Sequence, residues 1–174
     1  MAAYDLAALW DAHCRLEFET RDVDATMSTM VAEPYVNHIP TMTGGVGFEK
    51  LHDFYANHFI GVNPPDVELE LVSRTVGESS LVDEFVFRFT HTTQLDWMLP
   101  AIEPTGRRVE IPMVAVVKFQ ADKLVHEHIY WDQASVLVQL GLLDPEGLPV
   151  AGVETAQKVL DVTLPSNTLM APSR

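Results

Sequence analysis

Along the chain the spacing of apolar positions changes once. Up to about residue 65 they recur every three to four residues, and from Val67 onward they alternate. The first regime predicts helices. Leu6, Leu9, Trp10, His13 and Leu16 give one helix over residues 4–20. Asp22 then caps a second helix carrying Val23, Met27, Met30 and Val31, which ends before Pro34. A short strand, YVNHIP, spans Tyr35 to Pro40. TGGVG reads as a flexible turn into a third helix whose apolar face is Phe48, Leu51, Phe54, Tyr55, His58 and Phe59, stopped by Asn63-Pro64-Pro65. The second regime predicts strands over Val67–Val76 and Leu81–Thr93, hinged at Gly77–Ser80, and over Arg108–Gln120 and Leu124–Trp131, hinged at Ala121–Lys123. A short helix from Gln133 to Leu140 closes at Gly141. The order is α+β: three N-terminal helices packed on a curved, mainly antiparallel sheet. Residues 1–144 form the domain; 145–174, rich in Pro, Gly and Ser with one helical patch near Val153–Leu160, form a tail.

Composition narrows the partners. The 174 residues carry 25 acidic against 11 basic side chains, a formal charge of −14. That disfavours nucleic acid and anionic membrane surfaces, which attract positive patches. There is no basic segment leading into an apolar run at the start, and no run of 18 apolar residues, so a cytoplasmic protein is expected. The single cysteine, Cys14, excludes an internal disulfide framework and reads as a core thiol.

Three stretches carry a resemblance: YVNHIP with its Gly-rich turn and FEKLHDFYANHF, then PTGRRVEIPMVAVVKF, then KLVHEHIYWD. Over residues 4 to about 142 the chain resembles the nuclear transport factor 2-like superfamily, which includes ketosteroid isomerase, scytalone dehydratase, limonene epoxide hydrolase and the SnoaL-like polyketide cyclases. The PTG-to-strand segment and the closing Trp-Asp are most similar to the SnoaL branch. The resemblance implies a cone-shaped fold enclosing an apolar pocket and a homodimer paired through the outer sheet face, for which Val82, Val86, Val114 and Val116 are candidates. It puts His38 where ketosteroid isomerase-like members hold a general base, although those use a carboxylate there. Asp132 falls where SnoaL-like cyclases hold a proton-shuttling aspartate. No Asp-Arg-Asp arrangement of the limonene epoxide hydrolase kind is visible.

The strand Leu124–Trp131 has two faces, one with His126, His128, Tyr130 and Asp132, the other with Val125, Glu127, Ile129 and Trp131. Alternation alone leaves open which is inside. The resemblance turns Asp132 inward, and the histidines and Tyr130 with it. Asp132 has a competing use as N-cap of the next helix. On the strand Leu81–Thr93, Phe85, Phe87 and Phe89 form a core row that His91 ends, either as a satisfied core histidine or as a pocket residue. The catalytic candidates are therefore His38, Asp132, His91 and His128. The substrate-binding candidates are Tyr55, Phe87, Phe89, Trp97, His126 and Tyr130, with Trp97-Met98-Leu99 as a lid or a packed loop. His13 and His58 read as core, and His52, Glu33, Asp83 and Glu103 as surface groups. A metal on His126 and His128 with His38 or His91 is the weaker reading, and no metal or cofactor is expected. G-x-S-x-G, Walker and H-E-x-x-H motifs are absent.

These expectations describe a cofactor-free general acid–base enzyme of the isomerase, cyclase or dehydratase (lyase) type, acting on a small, largely apolar carbonyl or enol substrate. The alternatives are a hydrolase of an epoxide or lactone, and a non-catalytic small-molecule-binding domain.

Overall fold

In the computed structural model, which describes residues 4–170, the two regimes become a helical layer against a six-stranded sheet. Helix α1 (Leu6–Arg15) starts at Asp5, whose side chain accepts from the Ala8 N–H at 3.0 Å. Its last turn, Leu16–Thr20, widens to π-helical i→i+5 bonding. Helix α2 (Val23–Ser28) is capped by Asp22 in the same way. Helix α3 (Phe48–Phe54) also runs into a π-helical turn, Tyr55–Phe59. The helices bury most of the stripe that their spacing predicts, Leu6, Trp10 and His13 on α1 and Leu51, Phe54, Tyr55 and Phe59 on α3 and its π-helical turn, but Phe48 and His58, expected in the apolar face, are exposed.

The sheet consists of β1 (Met30–His38), β2 (Thr43–Val46), β3 (Glu68–Val76), β4 (Ser80–Thr90), β5 (Arg108–Gln120) and β6 (Lys123–Trp131). Their spatial order is β2-β1-β6-β5-β4-β3, antiparallel throughout except for the parallel β1–β6 pair. One correction concerns TGGVG. Four of its residues are strand β2, which pairs with β1 from Tyr35↔Val46 to His38↔Thr43. A β-carbon on Gly44 would lie 2.0 Å from the Val36 carbonyl oxygen, and one on Gly45 2.6 Å from the Leu51 backbone. The glycines let β1, β2 and α3 meet at backbone distance, and as weak strand formers they hide the strand from periodicity.

Inner positions of the central strands are nearly all apolar and buried, among them Val109, Ile111, Ala115 and Val117 on β5 and Phe87 and Phe89 on β4. Each large side chain so buried contributes roughly 2 kcal/mol. At the far end, α4 (Gln133–Gln139) and α5 (Glu154–Leu160) pack against β5. Gln139 continues the hydrogen-bond ladder beyond the end of β6, accepting from Glu110 N–H and donating to Glu110 C=O, both at 2.9 Å. Outward-facing Glu84 shares a surface hollow with α5 and the tail, and Val86, beside it on that face, is fully buried, whereas Val82, Val114 and Val116 stay partly exposed. Among the described residues no helix is long and apolar enough to cross a membrane.

Candidate functional site: an apolar cavity with a buried carboxylate pair

Between the helices and the inner face of the sheet lies a cavity of about 220 Å³. It is smaller than the ~300–1,000 Å³ usual for drug-sized ligands and suits a small molecule. Trp10, Phe18, Phe59, Phe87, Trp97 and Ile129 supply apolar wall. Both π-helical turns face it, the first through Glu17 and Phe18, the second through Tyr55 and Phe59. Such turns rotate side chains off the regular helical stripe and are frequent at functional sites.

His38, at the end of β1, lines the cavity and is only 2% exposed. Its ring sits among Phe54, Phe59, Trp97 and Trp131, with centroids 4.9–5.8 Å away. The Thr43 hydroxyl donates to the Trp97 carbonyl at 2.8 Å, so at 3.1 Å from His38 Nδ1 it accepts. The ring therefore carries its proton on Nδ1 and presents Nε2 as an acceptor. Burial in this apolar setting lowers its pKa from 6.5 to about 3, which keeps it neutral at ordinary pH.

The second polar group joins α1 to β6. His13 Nε2 lies 3.1 Å from Glu127 Oε1 and 3.3 Å from Glu17 Oε1, and all three residues are buried. Neither oxygen lies in line with the ring nitrogen, so these are close electrostatic contacts rather than aligned hydrogen bonds. On the other side of the ring, Thr29 Oγ1 is 2.6 Å from Nδ1 and donates to the Thr26 carbonyl, which makes Nδ1–H the donor. The Tyr55 hydroxyl donates to Glu127 Oε1 at 3.3 Å. Burial works against a charged His13, but the two carboxylates outweigh it and raise its pKa to about 10. Burial raises Glu17, and the Glu127 charge adds to that against the pull of His13. Glu17, Tyr55 and Glu127 all face the cavity.

A third group was not visible in the sequence. Arg74 of β3 donates to both oxygens of Asp83 (2.7 and 2.8 Å) and to Asp11 of α1 (2.8 Å), and Trp10 Nε1–H donates to Asp83 Oδ2 at 2.9 Å. All four line the cavity. This corrects one expectation: Asp83 is a 4% exposed ion-pair partner, bridged by Arg74 to Asp11, rather than a surface charge. Residues 11, 74 and 83 come from three elements, so no local motif announces them.

The face of β6 is the main correction. Glu127 and Ile129 line the cavity and Trp131 is buried, while Tyr130 is 42% exposed. His126 and His128 stack on each other on the opposite face, where His126 also stacks on Tyr35 and His128 Nε2 lies 3.1 Å from the Tyr35 hydroxyl. Asp132 is exposed and caps α4, its Oδ1 accepting from Ala134 N–H at 2.9 Å and Ser135 N–H at 3.3 Å. His91 is buried away from the cavity, its Nδ1 accepting from Thr105 N–H at 3.3 Å. Of the remaining candidates, Tyr55, Phe87 and Trp97 line the cavity, and Phe89 lies in the core beside it. The lid candidate is packed core, of which Trp97 lines the cavity. Trp97, Met98 and Leu99 are at most 2% exposed, and Trp97 Nε1–H donates to Asn63 Oδ1 at 3.0 Å. Sequence reasoning passed over Glu17, Glu127 and His13. The available signal was charge inside apolar stripes: Glu127 alternates with Ile129 and Trp131, and Glu17 follows His13 by one helical turn.

The family model of the SnoaL-like domain matches residues 10–128. The chain belongs to the SnoaL-like domain family. No curated protein matches the chain in sequence. Among solved structures, this SnoaL-like chain is similar to a protein from Shewanella putrefaciens CN-32 assigned as a SnoaL-like polyketide cyclase: TM-score 0.63, 14% identity, 79% of this chain and 86% of that one. It is also similar to one with the same assignment from Jannaschia sp. CCS1: TM-score 0.60, 17% identity, 83% and 99%. A third similarity is to SalBIII, an epoxide hydrolase/cyclase-like enzyme of pyran ring formation in the polyether salinomycin: TM-score 0.53, 15% identity, 74% and 93%. At these identities the likeness concerns the fold, and the reaction must be argued from the site.

Proposed function

We propose that this SnoaL-like domain is a general acid–base enzyme acting on a small, largely apolar carbonyl or enol compound. One observation carries the reading: a buried carboxylate, Glu127, opens on an apolar cavity while receiving a tyrosine hydroxyl and an imidazole at 3.1–3.3 Å. In this scheme Glu127 takes the proton next to the substrate carbonyl. Tyr55, released as Glu127 becomes protonated, turns its hydroxyl toward the developing enolate oxygen, where a water-poor wall strengthens the bond. His13, fixed by Thr29, and Glu17 hold the charge balance around Glu127. His38 Nε2 accepts a substrate hydroxyl and sets its orientation. Returning the proton to another carbon gives isomerisation, loss of a β-hydroxyl gives dehydration, and attack on an internal carbonyl gives cyclisation. Positioned proton transfer contributes typically 10²–10⁴-fold.

The test needs no knowledge of the natural substrate. A panel of small cyclic ketones is incubated with the protein in D₂O and deuterium entry next to the carbonyl is followed by NMR. Catalysed exchange that falls at least 100-fold in Glu127→Gln supports the scheme; exchange equal in both proteins refutes it.

The Asp11–Arg74–Asp83 chain favours a second reading, water attack on an epoxide or lactone. Oxygen-18 from labelled water entering the product, lost in Asp83→Asn, is its signature.

A further inference from the structure

We propose that His13, Glu17 and Glu127 form a site for one divalent transition-metal cation at the cavity wall. The spacing of the donor atoms is the first argument. Two donors each about 2.1 Å from a shared ion stand about 3.0 Å apart at a right angle and about 3.4 Å apart at the tetrahedral angle. His13 Nε2 is 3.1 Å from Glu127 Oε1 and 3.3 Å from Glu17 Oε1, and one donor atom from each residue lies within 4.8 Å of the others. The two separations from Nε2 match edges of a coordination polyhedron.

The second argument is independent of spacing. His13 is fully buried, yet Nε2 has no aligned hydrogen-bond partner, although a carboxylate oxygen of Glu127 and one of Glu17 stand 3.1 and 3.3 Å from it. An ion among the three donors would give that nitrogen the partner it lacks. The other nitrogen is prepared for this. Thr29 Oγ1 is committed as donor to the Thr26 carbonyl at 2.6 Å, so Nδ1 keeps its proton, and Nε2 is the nitrogen that offers a lone pair once an ion displaces its proton. A hydroxyl or carbonyl fixing the far side of the ring is the usual support behind a metal-bound histidine. Tyr55 supports the Glu127 carboxylate in the same sense, at 3.3 Å.

Charge agrees. Two carboxylates and one neutral imidazole make a donor set whose charge a single divalent ion balances. Because Glu17 and Glu127 line the cavity, the remaining coordination positions open toward it, where water or a substrate oxygen binds. One nitrogen and two carboxylate donors with open positions suit Zn²⁺, Mn²⁺, Fe²⁺ or Co²⁺ rather than a thiolate-seeking ion. This goes beyond the proton-transfer reading, since the ion and the Nε2 proton exclude each other and metal-free protein retains the acid–base set.

The experiment is a titration of chelator-treated full-length protein with Co²⁺, followed by visible absorption and calorimetry, with Zn²⁺ as competitor. The expected result is one Co²⁺ per chain at micromolar or tighter affinity, new visible bands that Zn²⁺ removes, and a raised melting temperature. Glu17→Gln weakens binding at least tenfold. Thr29→Val, which leaves all three ligands in place, weakens it about 10–100-fold and serves if the glutamine variant does not fold. His52→Ala and His58→Ala, on exposed rings elsewhere, leave it unchanged. Absence of stoichiometric binding, or binding indifferent to both Glu17→Gln and Thr29→Val, overturns the proposal. Ketone deuteration by the chelator-treated protein is read separately, so the two ideas fail independently.

Discussion

Replacing His38 by asparagine should flatten the acid dependence of stability. The introduced side-chain amide still donates to Thr43 where Nδ1–H does now, but it does not titrate. In the native protein the His38 ring is held neutral down to about pH 3, whereas in the unfolded chain it titrates near 6.5. A depressed native pKa means that the unfolded state binds more protons throughout that interval, so stability is fully present above about pH 6.5 and is lost as pH falls toward 3. At pH 4.5 the unfolded ring is almost wholly protonated and the native ring still neutral. The protonation advantage of the unfolded state is then about two pH units, or about 3 kcal/mol relative to pH 8. The cause is dry burial against Phe54, Phe59, Trp97 and Trp131, with no carboxylate partner to offset it. Urea denaturation followed by tryptophan fluorescence at pH 8, 6 and 4.5 measures it. His91 and His126 are also lowered by burial, and so contribute acid sensitivity of their own to both proteins. The informative quantity is the difference between wild type and variant. Wild type should lose about 3 kcal/mol more than His38→Asn between pH 8 and 4.5. Parallel profiles would show that His38 is solvated or charged in the native state and refute the reasoning.

Three further outcomes follow from the geometry. Asp132→Ala removes the cap of α4 and should cost about 1 kcal/mol in denaturant melts. Gly45→Ala puts a β-carbon into the Leu51 backbone and should destabilise by several times that amount, or prevent folding, as seen in the melt and in the far-ultraviolet spectrum. If the partly exposed outer-face valines pair two protomers, sedimentation gives twice the 19.4 kDa chain mass and Val114→Lys gives the monomer; a monomeric wild type removes the pairing.

The fold was legible where one period ruled. The helical stripes of α1 and α3 and the alternation of β4, β5 and β6 are direct consequences of burying one face. Strand β2 was not legible, because Gly44 and Gly45 are selected by close backbone approach rather than by strand propensity. At the site, His38, Tyr55, Phe87 and Trp97 sit in or beside apolar runs, and the structure gathers them on one cavity. The inward face of β6 was misassigned because a glutamate in an apolar stripe looks like an exception. Its partner His13 is 114 positions away, and only the folded chain shows that the charge is matched. Asp132 illustrates the reverse: its local environment, one residue before a helix, outweighed the family position.

The most direct measurement of the central claim is ketone deuteration in D₂O by wild type, Glu127→Gln and Asp132→Ala side by side. With chemistry at the buried carboxylate of the cavity, Glu127→Gln loses at least 100-fold and Asp132→Ala keeps wild-type exchange. Loss in Asp132→Ala with activity retained in Glu127→Gln would contradict the account and move the reaction to the opposite face of β6.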